Sequence, residues 1–132
     1  MTPTDVVARY VNAVAAGDLD TIVDSFADDA TWTYPGNLPL SGTWRGRDAI
    51  INDFLGGATA GLFRPGNPPE ITLTNILAED DQVVAEWTAR GVTAHGHTYD
   101  NRCLGVFRVR ADKITSVREY ADTDHAARTL FA

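Results

Sequence analysis

Few side chains in this 132-residue sequence combine a reactive group with a place inside a regular element. Along one β-patterned run Tyr99, Asn101, Cys103, Gly105 and Phe107 alternate with Asp100, Arg102, Leu104, Val106 and Arg108. The charges mark the second set as outward, so Asn101 and Cys103 face inward. On the preceding run Val83, Ala85, Trp87 and Ala89 are inner by the same test, against Val84, Glu86, Thr88 and Arg90. Tyr10 lies on the apolar face of the first helix. On the last run Thr115, Val117, Glu119 and Ala121 oppose Ile114, Ser116, Arg118 and Tyr120, and hydropathy does not decide which set is inner. An inward Glu119 among apolar walls would resist ionisation, which brings a carboxyl group toward working pH and suits it to general acid–base work. Tyrosine or asparagine donors beside it suit a developing oxyanion.

Other chemistries lack their parts. No Ser-His or Cys-His pair is apparent, and no glycine-rich phosphate loop occurs. His95, His97 and His125 have no matching Cys or His-x3-His partner, so neither metal nor cofactor is expected. Cys103 is the single cysteine, which excludes an internal disulfide and reads as a small hydrophobe. Plainer roles stand beside the chemical ones: an arginine ion pair for Glu119, a backbone hydrogen bond for Tyr10, and core packing for Trp32 and Trp87.

The elements that must position these groups follow from periodicity. Thr2-Pro3-Thr4-Asp5 is a helix start, and Val7, Tyr10, Val11 and Val14 make one helical face. Gly17 stops that helix; Asp18 caps a second with Leu19, Ile22, Val23 and Phe26 inward. Asp28-Asp29 is expected as a turn and Thr31–Tyr34 as a short strand. A loop to Gly46 precedes a third helix, Arg47–Leu55, with Ile50, Ile51 and Phe54 inward. Residues 56–69 hold four Gly and three Pro, a long loop in which Phe63 is a candidate lid. From Ile71 the period becomes that of strands: Ile71–Ala78, Gln82–Ala94, His97–Arg110 and Lys113–Ala121, joined by hairpin turns. Helices followed by a meander predict an α+β fold of one domain, residues 1–132, with the helices on one sheet face.

Composition narrows the partners. A net charge of −7, with Lys113 the only lysine, argues against nucleic acid. No apolar run approaches the ~20 residues of a membrane span. The first residues show no basic segment ahead of an apolar core, so a cytoplasmic location is expected. Leu104 and Val106 sit among Glu86 and Arg102 on the outer sheet face, which suits a homodimer contact.

Arg9-Tyr10-Val11, Ala16-Gly17-Asp18-Leu19-Asp20 and Ser25–Thr31 resemble the opening of bacterial ketosteroid isomerases. Gly96–Tyr99, Leu104–Phe107 and Lys113–Tyr120 resemble limonene epoxide hydrolase. Both belong to the NTF2-like, or SnoaL-like, superfamily. The resemblance implies a cone of three helices on a strongly curved sheet around a deep pocket, often dimeric through its sheets. Taken residue by residue, the isomerase's oxyanion tyrosine falls on Tyr10. Its two aspartates, one of them a neutral acid that donates a hydrogen bond, fall on Tyr34 and Gly105, so a standard ketosteroid isomerase is not expected. The hydrolase's water-binding Tyr and Asn fall on Trp32 and Tyr34, its Arg and acid on Trp87 and Ala89, and its base on Glu119. That placement implies an inward Glu119. The pocket expected from parity and resemblance together holds Glu119, Tyr10, Tyr34 and Asn101 as catalytic groups. Trp32, Trp87, Cys103, Phe63 and Val117 are its walls. The expected activity is cofactor-free proton transfer on a small apolar molecule: isomerisation, cyclisation, elimination or epoxide opening. A non-catalytic small-molecule-binding domain of the same fold is the alternative.

Overall fold

The computed structural model of the chain describes residues 1–132, apart from the side chain of Ala60. Helix α1, Pro3–Ala16, starts on a reciprocal cap: the Asp5 N–H donates to Thr2 Oγ1 at 3.1 Å and the Thr2 N–H to Asp5 Oδ2 at 3.0 Å. Gly17, at φ 70°, ends it in the left-handed conformation. Val7, Tyr10 and Val11 are buried on its inner face, as their spacing predicts. Helix α2 is shorter than expected, Leu19–Asp24, and none of its residues is fully buried. Leu19 is exposed, and Phe26 does not continue the helix but opens a strand.

Six strands form one sheet in the order β2-β1-β6-β5-β4-β3. They are β1 Phe26–Tyr34, β2 Gly42–Arg45, β3 Glu70–Glu79, β4 Gln82–Val92, β5 Thr98–Arg110 and β6 Lys113–Tyr120. All neighbours pair antiparallel except β1 and β6, which are parallel. Asp28 and Asp29 lie inside β1, not in a turn, where its register against β6 shifts between Phe26 and Thr31. β2 falls where a loop was expected; four residues without clear alternation carry too weak a period to read. Further register shifts, Leu73/Asn75 against β4 and Arg108/Val109 against β6, mark bulges at which the strands bend. Two-residue turns join β3 to β4 and β5 to β6, with Asp80, Ala111 and Asp112 at positive φ.

The third helix runs Ala49–Thr59 with π-type winding, four residues past its expected end, and Ala60–Leu62 adds one tight turn. Ile50, Ile51 and Phe54 point into the core as predicted. A further helix, α3 Thr123–Leu130, closes the chain, so the helices do not all precede the sheet. Its signal was present: Asp122 caps it by accepting the His125 N–H at 2.9 Å. None of these helices is long and apolar enough to cross a membrane.

Candidate functional site

Strand parity on β4 and β5 holds. Val83, Ala85, Trp87 and Ala89 are buried, as are Tyr99, Asn101, Cys103 and Phe107. On β6 the bulge resolves what hydropathy could not. Arg108 pairs with Ser116 and Val109 with Ile114, so Thr115 is an extra residue and the alternation reverses across it. Ile114, Val117 and Glu119 are therefore all inward, while Arg118 and Tyr120 are outward and exposed.

Glu119 is 9% exposed and stands opposite Gly105 on β5. A Cβ at position 105 would lie 2.5 Å from Phe107 Cε1 and 3.1 Å from Trp87 Cη2, so the two rings require glycine there. One strand away, Trp32 donates its indole N–H to Glu119 Oε1 at 3.1 Å. The Cys103 thiol lies beside this carboxyl group on the cavity wall. Among the described residues no lysine, arginine or histidine forms an ion pair with Glu119. Burial without a cation raises its pKa from 4.5 to about 7, and the Trp32 bond and the neighbouring Cys103 thiol oppose the rise only partly. The arginine ion pair weighed from sequence is absent among the described residues.

The polar neighbours remain neutral. Burial, then proximity to Glu119, raises the pKa of Tyr10, Tyr34 and Cys103 above their ordinary values. The tyrosines are thus hydroxyl donors, and the cysteine is a thiol rather than a thiolate nucleophile. Tyr10 packs edge-on to Phe26 at 5.1 Å and to Trp32 at 6.1 Å. The backbone hydrogen bond weighed for Tyr10 is not made among the described residues. Phe54 stacks against both Trp32, at 5.4 Å, and Tyr34, at 6.0 Å.

A cavity of about 560 Å3 brings together Glu119, Tyr10, Tyr34, Trp32, Trp87, Cys103 and Phe63. That volume is within the usual span of small-molecule sites. Phe63 is a wall, not a loose flap: it is buried, its ring meets Tyr99 edge-on at 5.5 Å, and its backbone bridges Thr93. Two expected members lie elsewhere. Val117 is buried in the core without lining the cavity. Asn101 is inward but also does not line it, because its amide clamps the chain at Asp122. The Asp122 N–H donates to Asn101 Oδ1 at 3.1 Å, and Asn101 Nδ2 donates to the Asp122 carbonyl at 3.0 Å. Tyr99, which periodicity put on the inner face without a role, does line the cavity; its side-chain link to Asn101, two residues along the same strand face, was the available signal. Among the described residues no group of three or more His, Cys, Asp or Glu side chains is placed to hold a metal ion.

A family model for the SnoaL-like domain matches residues 7–117. The ECF RNA polymerase sigma factor SigG of Mycobacterium tuberculosis is 27% identical over 119 residues, 90% of this chain and 29% of that protein. The chain thus spans less than a third of the length of the curated relatives it matches. The crystal structure of an NTF2-like protein from Burkholderia thailandensis is 25% identical, with a TM-score of 0.84 over 97% of this chain and 96% of that one. A SnoaL-like polyketide cyclase from Jannaschia, assigned as putative in its own description, is 16% identical, with a TM-score of 0.79 over 98% and 92%. At that identity the likeness is of fold, and the fold is the NTF2-like cone with its sheet left open.

Proposed function

The chain belongs to the SnoaL-like domain family, and from that premise we propose that it is a cofactor-independent acid–base enzyme acting on a small apolar molecule. One observation carries the reading: a buried carboxyl group, Glu119, faces an apolar cavity with an indole donor and no cation. A carboxyl group with a pKa of about 7 is half-ionised at neutral pH and can both take and return a proton. In the proposed step Glu119 removes a proton from carbon beside a carbonyl group. The C–H bond breaks, an O–H bond forms on Glu119, and the electron pair moves to the carbonyl oxygen. Tyr10 and Tyr34 donate hydrogen bonds to that oxygen. Return of the proton to another carbon gives isomerisation; attack of the carbanion on a second carbonyl gives ring closure. Elimination and epoxide opening need the same acid–base group. Resemblance to the isomerase and the hydrolase supports only part of either mechanism, because Tyr34 and Gly105 replace the isomerase acids and Trp87 and Ala89 replace the hydrolase pair.

The test begins by identifying, by mass spectrometry, what the protein retains from cell extract. On that molecule Glu119→Gln should lower turnover by ~100-fold or more. Turnover within a few-fold of the original would remove Glu119 from the chemistry. A second reading, a non-catalytic ligand-binding domain, has one observation in its favour: the matched segment forms 29% of a sigma factor. Recovery of the bound molecule unchanged, at full occupancy, after prolonged incubation would decide for it.

The outer sheet face supports a homodimer. Leu104 and Val106 are only half-buried there, and Tyr120 and Leu77 are exposed beside them. Light scattering should return twice the 14.3 kDa chain mass, and Leu104→Glu should return the chain mass alone. A single buried thiol, Cys103, fits a reducing cytoplasm.

A further inference from the structure

Asn101 makes three hydrogen bonds that leave its amide only one orientation. Its Oδ1 accepts the Asp122 N–H and its Nδ2 donates to the Asp122 carbonyl. A flipped amide would set donor against donor and acceptor against acceptor. The second Nδ2 hydrogen is then directed at the Tyr99 hydroxyl oxygen, 3.1 Å away. An amide nitrogen offers no lone pair in return, so the Tyr99 hydroxyl accepts this bond and its own proton must point elsewhere. It makes no other hydrogen bond among the described residues, and Tyr99 lines the cavity. Burial first, and then the nearby Cys103, raises its pKa, so the proton is retained. The ring is held between Phe63, edge-on at 5.5 Å, and His125 at 5.5 Å.

We infer that Tyr99, oriented by Asn101, is a ligand-binding donor that selects molecules carrying a hydrogen-bond acceptor, such as a carbonyl or ether oxygen, at the Phe63 end of the cavity. Tyr99 sits in the smaller apolar cluster with Phe63, Ala126 and Leu130, whereas Trp32, Tyr10 and Cys103 around Glu119 belong to the larger one. The Tyr99 hydroxyl is turned along β5 toward Asn101 and lies near Cys103, so it reads an acceptor within the same cavity that Glu119 faces. Asn101 is a positioning residue: it touches no ligand and acts through the direction it imposes on Tyr99.

The inference rests on the cavity being the ligand site, as proposed above, and not on Glu119 being catalytic. Two probes of one shape test it: fluorene, and 9-fluorenone, which adds a carbonyl acceptor. Titration followed by tryptophan fluorescence should show the ketone bound about fivefold more tightly than the hydrocarbon, the worth of one neutral hydrogen bond. Tyr99→Phe should reduce that preference to within about twofold while leaving fluorene affinity unchanged, which also reports that the cavity is intact. Glu119→Gln should keep the preference while losing turnover, so failure of the enzymatic reading and failure of this one remain distinguishable. A Tyr99→Phe protein that still prefers the ketone about fivefold would overturn the inference. So would an original protein that shows no preference for the ketone or does not bind it.

Discussion

Two carboxylates in this chain meet opposite surroundings. Asp24, at the end of α2, lies on the surface between Lys113 Nζ at 2.8 Å and Arg9 Nη1 at 3.0 Å. The Lys113 and Arg9 bonds hold its pKa below the ordinary value. Glu119 is buried at the wall of the apolar cavity, has an indole and a thiol for company, and is raised to about 7. The first site keeps charge where water already stabilises it, and serves to tie α1 and α2 to the start of β6. The second has one indole donor and no cation to stabilise its charge, so burial favours the protonated form. Location and partners, rather than residue type, set which of the two acids loses its proton readily.

The contrast can be broken in graded ways. The largest effect should come from pH. Between about 4.5 and 7 the folded chain holds a proton on Glu119 that the unfolded chain has released, so this group's contribution to stability falls as pH rises through that window and is level above it. The difference amounts to about 3 kcal/mol. Chemical denaturation of the original protein and of Glu119→Gln at pH 4.5, 6 and 8 should diverge by that order, with the Glu119 share of the slope gone from the variant. Asp24, with its lowered pKa, should act in the reverse sense, losing its contribution as pH falls through its folded value. Next in size, Gly105→Ala should cost about 2 kcal/mol of stability, because the added methyl meets the Phe107 ring, itself fully buried. Denaturant unfolding gives that number directly. Trp32→Phe removes the indole donor but keeps an aromatic ring, and should move the Glu119 midpoint upward by about one pH unit; an unchanged midpoint would show that the bond orients the carboxyl group without tuning it. Smallest, Arg9→Ala should shift the melting temperature by less than about 4 °C, since the pair is exposed and Lys113 still faces Asp24.

The cavity walls on β4 and β5 were legible because two long strands alternate without interruption from Val83 to Ala89 and from Tyr99 to Phe107. Glu119 was not legible from alternation: the extra residue Thr115 reverses parity before it, and a bulge leaves no mark in hydropathy. Only resemblance pointed it inward. Asn101 was read correctly as inward and polar, yet its role depended on α3, whose cap residue Asp122 it clamps. That helix carries a weak signal in the sequence, being eight residues long and partly exposed, with Ala126, Thr129 and Leu130 its buried positions. Tyr99 followed from the same gap, since its donor direction is visible only once Asn101 is known to be anchored. The extension of the third helix to Thr59 ran against two consecutive glycines, Gly56 and Gly57, which ordinarily argue for a loop.

The central claim is that Glu119 trades a proton near neutral pH. It is tested most directly by following the side-chain carboxyl carbons of 13C-labelled glutamate by NMR as pH is varied, with the Glu119 signal identified by its loss in Glu119→Gln. A midpoint near 7 is predicted. A midpoint at or below 4.5, the ordinary glutamate value, would contradict the account, because the carboxylate would then be stabilised by a partner that makes it structural.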